Sequence, residues 1–179
     1  MKKILMFINK MIEYVLDALI VIIIAIFVGL LICMSTKIMY INYISGTSME
    51  PTFCDGEYVI STTLYEEIKP SDVVIVYEGE NNVEIIKRVV ATPNQTLTIN
   101  NNSILIDGKN VNDAFSSNGN EYGLGEYRTG ENEYFVLGDN RHVSKDSRVI
   151  GMINKDKIKS IVFFRIKFEN YKPKIELIH

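Results

Sequence analysis

The chain has 179 residues, of which 47% are hydrophobic, enough for one core but thin for two domains once a membrane segment is set aside. Nineteen lysines and arginines stand against 22 aspartates and glutamates, a net charge of −3 without a long block of like charge. This distribution argues against DNA or RNA as a partner. The two cysteines, Cys33 and Cys54, match neither a disulfide framework nor metal-ligand spacing, so we interpret both as small apolar fillers.

The first predicted element is an apolar segment near the N-terminus. Ala18–Met34 is uncharged, and its 17 residues extend about 25 Å as a helix, close to the roughly 30 Å hydrocarbon core of a bilayer. A buried soluble helix seldom stays apolar on every face over this length, and a cleavable secretory signal is shorter and ends in an Ala-x-Ala-like site. The pattern therefore predicts an uncleaved transmembrane signal anchor over residues 15–36.

Charges flanking the anchor predict its orientation. The first three lysines of the chain precede the apolar segment, whereas only Lys37 follows it closely. The positive-inside rule then places residues 1–14 in the cytoplasm and residues 37–179 outside. The expected localisation is the plasma membrane, with a single pass and the domain of residues 37–179 extracytoplasmic.

Short runs rich in β-branched and aromatic residues follow the anchor, with lengths typical of strands rather than helices. These runs are Tyr58–Thr62, Val73–Tyr77, Val83–Ala91, Thr96–Ile99, Ile104–Ile106, Tyr134–Leu137 and Ile158–Ile166. Asp107-Gly108 predicts a hairpin, because both residues tolerate positive φ. A second turn is expected at residues 100–102 and a long surface loop at 116–132. The predicted fold class is mainly β: a single N-terminal transmembrane helix followed by a largely antiparallel β-domain.

The first segment with candidate chemistry surrounds Ser48, about a dozen residues beyond the anchor. Small residues before the serine, Gly46 among them, allow close backbone approach. Pro51 prevents the segment from forming an ordinary helix or an inner strand. The same composition is equally typical of an ordinary loop, so this segment alone does not identify a site.

The second segment places Lys87 in a strand. Strand alternation sets its side chain on the same face as Ile85, Val89 and Ala91. Burial on an apolar face disfavours the ammonium, and lowering its pKa from about 10.4 to near 8 takes roughly 3 kcal/mol of desolvation. A neutral amine then accepts the proton of a nearby serine hydroxyl. An edge-strand lysine whose ammonium reaches water is the alternative.

The third segment, Gly138–Arg148, is dense in hydrogen-bonding groups and follows a strand-like run. Asp146 and Arg148 are suited to pair and brace the loop, and the Ser144 hydroxyl is suited to hold a neutral lysine in one rotamer. A solvated surface loop is the alternative here.

In order and content these three segments, after a membrane anchor, resemble type I signal peptidases of the bacterial Ser-Lys branch, peptidase family S26. The resemblance runs from the anchor to about Gly151 and implies a membrane-bound serine endopeptidase that removes signal peptides, cutting after small residues. It implies Ser48 as nucleophile, Lys87 as general base and Ser144 as the hydroxyl that orients the lysine. The supporting residues that it implies are Gly46, Met49, Pro51, Arg88, Gly138, Asp139, Asn140, Arg141, Asp146 and Arg148.

Two positions depart from the family pattern. Gly46 stands where some members carry a hydroxyl that helps to bind the oxyanion, so backbone N–H groups, chiefly that of Ser48, must do more. His142 stands where an acidic or polar residue is common. A Ser-His arrangement is conceivable, but the lysine is present, and we interpret His142 as a surface residue.

The resemblance also implies partners. We expect signal-peptide-bearing preproteins and the lipid bilayer, on which an apolar rim would rest, with the secretion translocon nearby and no metal or organic cofactor. Two rival interpretations stay open at this point. One is a self-cleaving Ser-Lys regulator, which would be soluble and carry a DNA-binding domain; the other is a catalytically inactive relative that acts as a membrane-tethered assembly accessory.

Overall fold

The apolar N-terminal segment forms one long helix, α1, Lys2–Ser35. The computed structural model describes residues 2–36, 38–79, 83–101, 103–111 and 123–178. Within them, α1 is the one helix that is long and apolar enough to cross a membrane, over Met6–Ile32. The helix begins earlier than the predicted span because residues 2–14 contain neither proline nor glycine to interrupt it.

The chain forms two compact units, Met1–Met39, which contains the helix, and Tyr40–His179. Strands dominate the second unit. The strands are β1 (Met39–Tyr43), β2 (Tyr58–Thr62), β3 (Val73–Glu78), β4 (Val83–Ala91), β5 (Thr96–Asn100), β6 (Ser103–Ile106), β7 (Lys109–Asn110), β8 (Gly125–Arg128), β9 (Glu133–Leu137), β10 (Ile153–Asn154), β11 (Ile158–Glu169) and β12 (Lys172–Leu177). A short helix, α2 (Ser147–Ile150), and a single 3₁₀ turn, Lys155–Lys157, complete the described elements.

The strands form two sheets. The larger has the order β1-β2-β11-β3-β4-β9-β10, with β12 paired to β11, and the smaller has the order β7-β6-β5-β8. The strand pairs from β2 to β12 for which the register is defined are antiparallel. The predicted fold class, mainly β and largely antiparallel after one apolar helix, is therefore confirmed.

Each of the seven predicted runs forms a strand, extended at most by a few residues. The Asp107-Gly108 hairpin is also present, with φ of 51° and 77°. The prediction of a loop at 116–132 is wrong for Gly125–Arg128, which forms β8 and pairs with β5. Residues 116–122 of the predicted loop lie outside the described part of the chain. The predicted turn at 100–102 has its residue 101 in a turn, and residue 102 lies outside the described part.

Three apolar clusters form the core of the β unit. One of them joins the loop after β1 to strands β2, β3 and β11, and it fully buries Met49 and Phe53. Full burial of such side chains stabilises the fold by about 1.5–3 kcal/mol each. The loop that carries Ser48 is therefore anchored by packing on the residue after the serine and again four residues later.

Candidate active site

Ser48 lies in a tight turn of the loop between β1 and β2. The N–H of Phe53 donates to the carbonyl oxygen of Met49 at 2.9 Å, which fixes the backbone after the serine. Before it, Gly46 has φ of 96°, a value that favours glycine, and its N–H donates to Asp55 Oδ1 at 2.7 Å. The loop is thus held on both sides, while the Ser48 side chain remains partly exposed.

Lys87 meets Ser48 although 39 positions separate them in the sequence. The Lys87 amine donates to Ser48 Oγ at 2.9 Å and to the carbonyl oxygen of Ile86 at 2.8 Å. Only 3% of Lys87 is exposed. The amine is therefore held between a backbone carbonyl and the serine hydroxyl, within proton-transfer distance of the latter.

The face of β4 that carries Lys87 is apolar, as alternation predicted. Ile85 and Val89 pack in the same cluster, with Val74, Val76 and Val136. Ala91 departs from the predicted face and joins a different cluster, because the register between β4 and β9 shifts after Val89. The Lys87 side chain therefore extends from an apolar face of β4.

This burial lowers the pKa of the Lys87 ammonium from its ordinary 10.5 to about 8. Loss of solvation is the largest cause, because a charged amine is disfavoured away from water. The carboxylates of Asp146, Glu78 and Asp139 act in the opposite direction and keep the pKa from falling further. An appreciable neutral fraction of the amine therefore exists near neutral pH.

The Gly138–Arg148 loop packs directly against the serine loop. The N–H of Asn140 donates to the carbonyl oxygen of Ser48 at 3.1 Å. Its side-chain amide donates to the carbonyl oxygen of Thr47 at 3.2 Å. Asn140 thus holds the backbone on both sides of the peptide bond between Thr47 and the nucleophile candidate Ser48.

Gly138 and Ser144 lie in close contact beside that backbone. A Cβ added at Gly138 would collide with the Ser144 hydroxyl and with the carbonyl oxygen of Ser48, and would lie 2.5 Å from Ser144 Cβ. Only glycine fits at this position. Ser144 is 1% exposed, so its side chain is enclosed next to the serine loop. Its orienting bond to the lysine amine stays a prediction.

Asp146 and Arg148 form the ion pair that the sequence suggested. Arg148 Nε donates to Asp146 Oδ1 at 2.8 Å, and the other carboxylate oxygen accepts the N–H of Gly138 at 3.0 Å. Arg148 Nη2 also donates to the carbonyl oxygen of Arg141 at 2.8 Å. Arg141 in turn donates from Nε to the carbonyl oxygen of Gly138 at 2.9 Å. These bonds close the loop on itself.

A second buried ion pair connects β4 to both loops. Arg88 donates to Asp139 from Nε at 2.9 Å and from Nη2 at 2.7 Å, and the two side chains are 3% and 1% exposed. Asp139 Oδ2 also accepts the hydroxyl of Thr52 at 2.5 Å. Thr52 was not singled out from the sequence; its position one residue after Pro51 in the serine loop was the available signal.

Other predicted residues lie at the margin of the site. The Met49 side chain of the serine loop is buried in the core, whereas Pro51 and His142 are exposed. The interpretation of Cys54 as an apolar filler is wrong, because this side chain is exposed and the preceding Phe53 occupies the core position. The Cys33 side chain lies outside the described part of the chain. In that part, no three His, Cys, Asp or Glu residues are grouped as metal ligands.

A cleft of about 170 Å³ opens at Ser48 and Lys87. Residues 42–45 and Ser48 form one side, residues 84–87 form the other, and Ile75 lies between them. A larger cavity of about 360 Å³, lined by Pro70, Arg88 and Val111 among others, does not include Ser48 or Lys87. We assign the smaller cleft to the candidate chemistry because the hydroxyl and the amine both face it.

Comparisons with known proteins identify the family of this chain. The family model "Signal peptidase, peptidase S26" matches residues 11–167. Signal peptidase I of Bacillus licheniformis is 35% identical over 138 residues, 68% of this chain and 74% of the relative. Signal peptidase IB of Staphylococcus aureus strain N315 is 31% identical over 142 residues, with the same shares covered. A solved signal peptidase I of Enterococcus faecalis V583 matches 54% of this chain and 97% of its own at 23% identity, with a TM-score of 0.48.

The family match and these relatives define an enzyme, a hydrolase of the serine peptidase class. The chain belongs to the signal peptidase family, peptidase S26. Its apolar N-terminal helix and these relatives further indicate a membrane-anchored protein.

Proposed function

We propose that this chain is a membrane-bound serine endopeptidase that removes N-terminal signal peptides from exported preproteins with a Ser48–Lys87 dyad. The observation that carries the proposal is the 2.9 Å contact between the Lys87 amine and Ser48 Oγ. The lowered pKa of the buried amine, to about 8, supports the role of general base. The relatives named signal peptidase I and IB support the substrate class.

The reaction follows from these two groups. Neutral Lys87 accepts the Ser48 proton while Oγ attacks the carbonyl carbon at the cleavage site. The resulting ammonium protonates the leaving amine, and an acyl-enzyme remains on Ser48. Lys87, again neutral, then deprotonates a water molecule that hydrolyses the acyl-enzyme and restores the serine.

Charge on the tetrahedral intermediate requires hydrogen-bond donors near Ser48. Gly46 has no hydroxyl to contribute, so backbone N–H groups, chiefly that of Ser48, are the proposed donors. Asn140 supports this assignment because it bonds the backbone of Thr47 and Ser48, and the Arg88–Asp139 pair does so because it binds the Thr52 hydroxyl in the same loop. A preorganised backbone donor acts without reorganisation during the reaction.

The helix α1 is proposed to anchor the enzyme in the plasma membrane, with residues 1–14 cytoplasmic and the β unit outside. Preproteins held in the same bilayer then meet the site at a raised local concentration. Proximity to the secretion translocon belongs to the same proposal.

The test is cleavage of a preprotein by the full chain in detergent. Ser48→Ala and Lys87→Met are each expected to lower kcat by roughly three orders of magnitude or more, since the two groups act as a unit. His142→Ala is the matched control for a Ser-His mechanism and should cleave like the wild type. Cleavage by both dyad variants would refute the assignment, and loss of activity with a chelator that zinc restores would refute the mechanism.

A further inference from the structure

An arginine on β11 contacts the loop that carries Ser48. This serine loop comprises residues 44–57, between β1 and β2. Arg165 donates from Nη1 to the carbonyl oxygen of Thr52. The same Nη1 lies 3.9 Å from Glu57 Oε2, which accepts a backbone N–H of the loop at 3.2 Å. Arg165 therefore contacts the serine loop in its second half and again at its last residue.

Thr52 is held from two directions. Its hydroxyl donates to Asp139 Oδ2, while its carbonyl oxygen accepts from Arg165. Thr52 lies four residues after Ser48, and a backbone hydrogen bond of 2.9 Å closes the turn over residues 49–53. Because this turn is closed, a displacement of the Thr52 carbonyl would also move Ser48.

Arg165 is in turn held by β12. It lies directly opposite Glu176 in the antiparallel register, and its Nη2 donates to Glu176 Oε2. Lys167 and Lys174 lie 3.3 and 3.0 Å from the other carboxylate oxygen. These contacts lower the pKa of Glu176 from its ordinary 4.5 to about 2, with the Arg165 hydrogen bond as the largest cause. The carboxylate is therefore ionised at neutral pH and keeps Arg165 in place.

The two ends of the guanidinium bind two different elements. Nη1 binds the serine loop and Nη2 binds β12, and the planar group fixes the angle between them. The Arg165 side chain is only 16% exposed, which strengthens both contacts. The family match ends at residue 167, so β12 lies beyond it.

We propose that Arg165 is a positioning residue: by fixing the Thr52 carbonyl, it keeps Ser48 Oγ at proton-transfer distance from the base. The proposal rests on the proposed function of the Ser48–Lys87 dyad. Arg165 acts through the serine loop and takes no part in proton transfer. Through this residue β12 supports the active site, although the cleft at Ser48 is lined by other elements.

The experiment compares Arg165→Met with the wild type, using the full chain in detergent. The variant is expected to lower kcat on a preprotein about ten- to a hundredfold, because a misplacement of about 1 Å has effects of this size. KM should stay unchanged, since Arg165 does not line the cleft. Backbone hydrogen exchange, followed by mass spectrometry, should become faster in residues 44–57 and stay unchanged in residues 96–106 of the smaller sheet.

Two further variants separate the guanidinium from the charge around it. Arg165→Lys should recover part of the lost kcat, since an ammonium can keep one of the two partners but not both in the same geometry. Lys167→Met is the matched control, because Lys167 lies on the same strand and its ion-pair partners among the described residues are Glu169 and Glu176. It should keep the wild-type kcat and the wild-type exchange in the serine loop.

A wild-type kcat in Arg165→Met, a loss confined to KM, or unchanged exchange in residues 44–57 would overturn the proposal. So would equal losses in Arg165→Met and Lys167→Met, or faster exchange spread evenly over both regions. If Arg165→Met does not fold, Arg165→Lys decides, and wild-type kcat and serine-loop exchange in that variant would overturn the proposal. Cleavage by Ser48→Ala would instead overturn the dyad, whereas the exchange measurement needs no substrate, so the two failures are distinguishable.

Discussion

A lysine acts as a base only in its neutral form, and the surroundings of Lys87 favour that form. Its amine is nearly fully enclosed, its strand neighbours are apolar, and the nearby carboxylates Asp139 and Asp146 already have arginine partners. A carboxylate committed to an arginine offers less stabilisation to a second cation. Desolvation therefore dominates, and the pKa falls.

This pKa predicts the pH dependence of cleavage. The folded-state pKa of Lys87 is lowered to about 8, so the ammonium predominates below that pH and the active amine above it. We expect kcat/KM to rise about tenfold per pH unit between pH 5.5 and 7 and to level off above pH 8. The measurement is a pH profile on one peptide in mixed buffers of constant ionic strength. A flat profile across this range would contradict Lys87 as the base.

Gly138 gives a second prediction for a single residue. Gly138→Ala forces a methyl group against the Ser144 side chain and the Ser48 carbonyl oxygen. Overpacking of this kind costs about 1–3 kcal/mol, and a shift of the serine by 1 Å lowers kcat roughly a hundredfold. Thermal unfolding and cleavage assays measure the two effects.

The matched control for Gly138 is Gly29→Ala in α1, where an added Cβ meets nothing within 4 Å. This variant should keep both the wild-type thermal midpoint and the wild-type kcat. If Gly138→Ala behaves like Gly29→Ala, the contact between the two loops is not as close as described.

How far single residues could be predicted depended on what made them unusual. Lys87 was recognisable because a charged residue interrupted a β-branched strand, and Ser48 because it followed a membrane anchor in a loop of small residues. Thr52 is less unusual, because a threonine in a loop is ordinary and its position one residue after Pro51 is a weak signal. Its role comes from Asp139, a partner at a distant position that spacing along the chain does not reveal.

Among the secondary-structure elements, strand β4 makes the hydrogen bonds that connect the two loops of the site. β4 supplies both Lys87, which faces Ser48, and Arg88, which points to the opposite side of the strand and binds Asp139. One strand therefore positions the proposed base and also ties the Gly138–Arg148 loop to the serine loop through Thr52. Rigidity of the dyad follows from this shared support.

Removing one member of that buried pair is expected to be costly. Asp139→Asn leaves the Arg88 guanidinium buried without its counter-charge, and such losses destabilise by about 3–5 kcal/mol. For a domain of this size the thermal midpoint should fall by roughly 10 °C. Differential scanning calorimetry of the full chain in detergent measures the shift.

Glu169→Gln is the matched control for Asp139→Asn, because Glu169 pairs with Lys167 at an exposed position. Exposed pairs contribute about 0–1 kcal/mol, so its midpoint should barely change. Equal shifts in the two variants would contradict the supporting role of the Arg88–Asp139 pair.

Strands were predictable where the side chains alternate or are continuously apolar, and less so elsewhere. β2, β3 and β4 are dense in valine and isoleucine, so local pattern and tertiary pairing agree. β8, with the sequence GEYR, lacks that pattern and exists because β5 supplies its hydrogen-bond partners and Tyr127 packs 4.8 Å from the ring of Phe135. Such strands form through pairing with another strand, which the local sequence pattern does not predict.

For the molecule as a whole, the proposed function requires the β unit to lie on the outer side of the membrane. The lysines before α1 predict that the N-terminus stays in the cytoplasm. Substrates of the proposed function emerge on the opposite side, so chemistry and charge pattern require the same orientation. An anchor in the reverse sense would leave the Ser48–Lys87 dyad with no exported preprotein to cut.

Cys54 allows a direct measurement of that orientation. Its thiol is exposed in the β unit, and partial desolvation together with the Glu57 and Glu50 carboxylates raises its pKa, so labelling is best done at pH 8 or above. In a Cys33→Ser background, a membrane-impermeant maleimide should label Cys54 in intact cells as fully as after lysis. A Cys33→Ser/Cys54→Ser double variant is the blank. Labelling that requires lysis would place the catalytic unit in the cytoplasm, where the proposed substrates would have to be cut before export, and the proposed function would then fail.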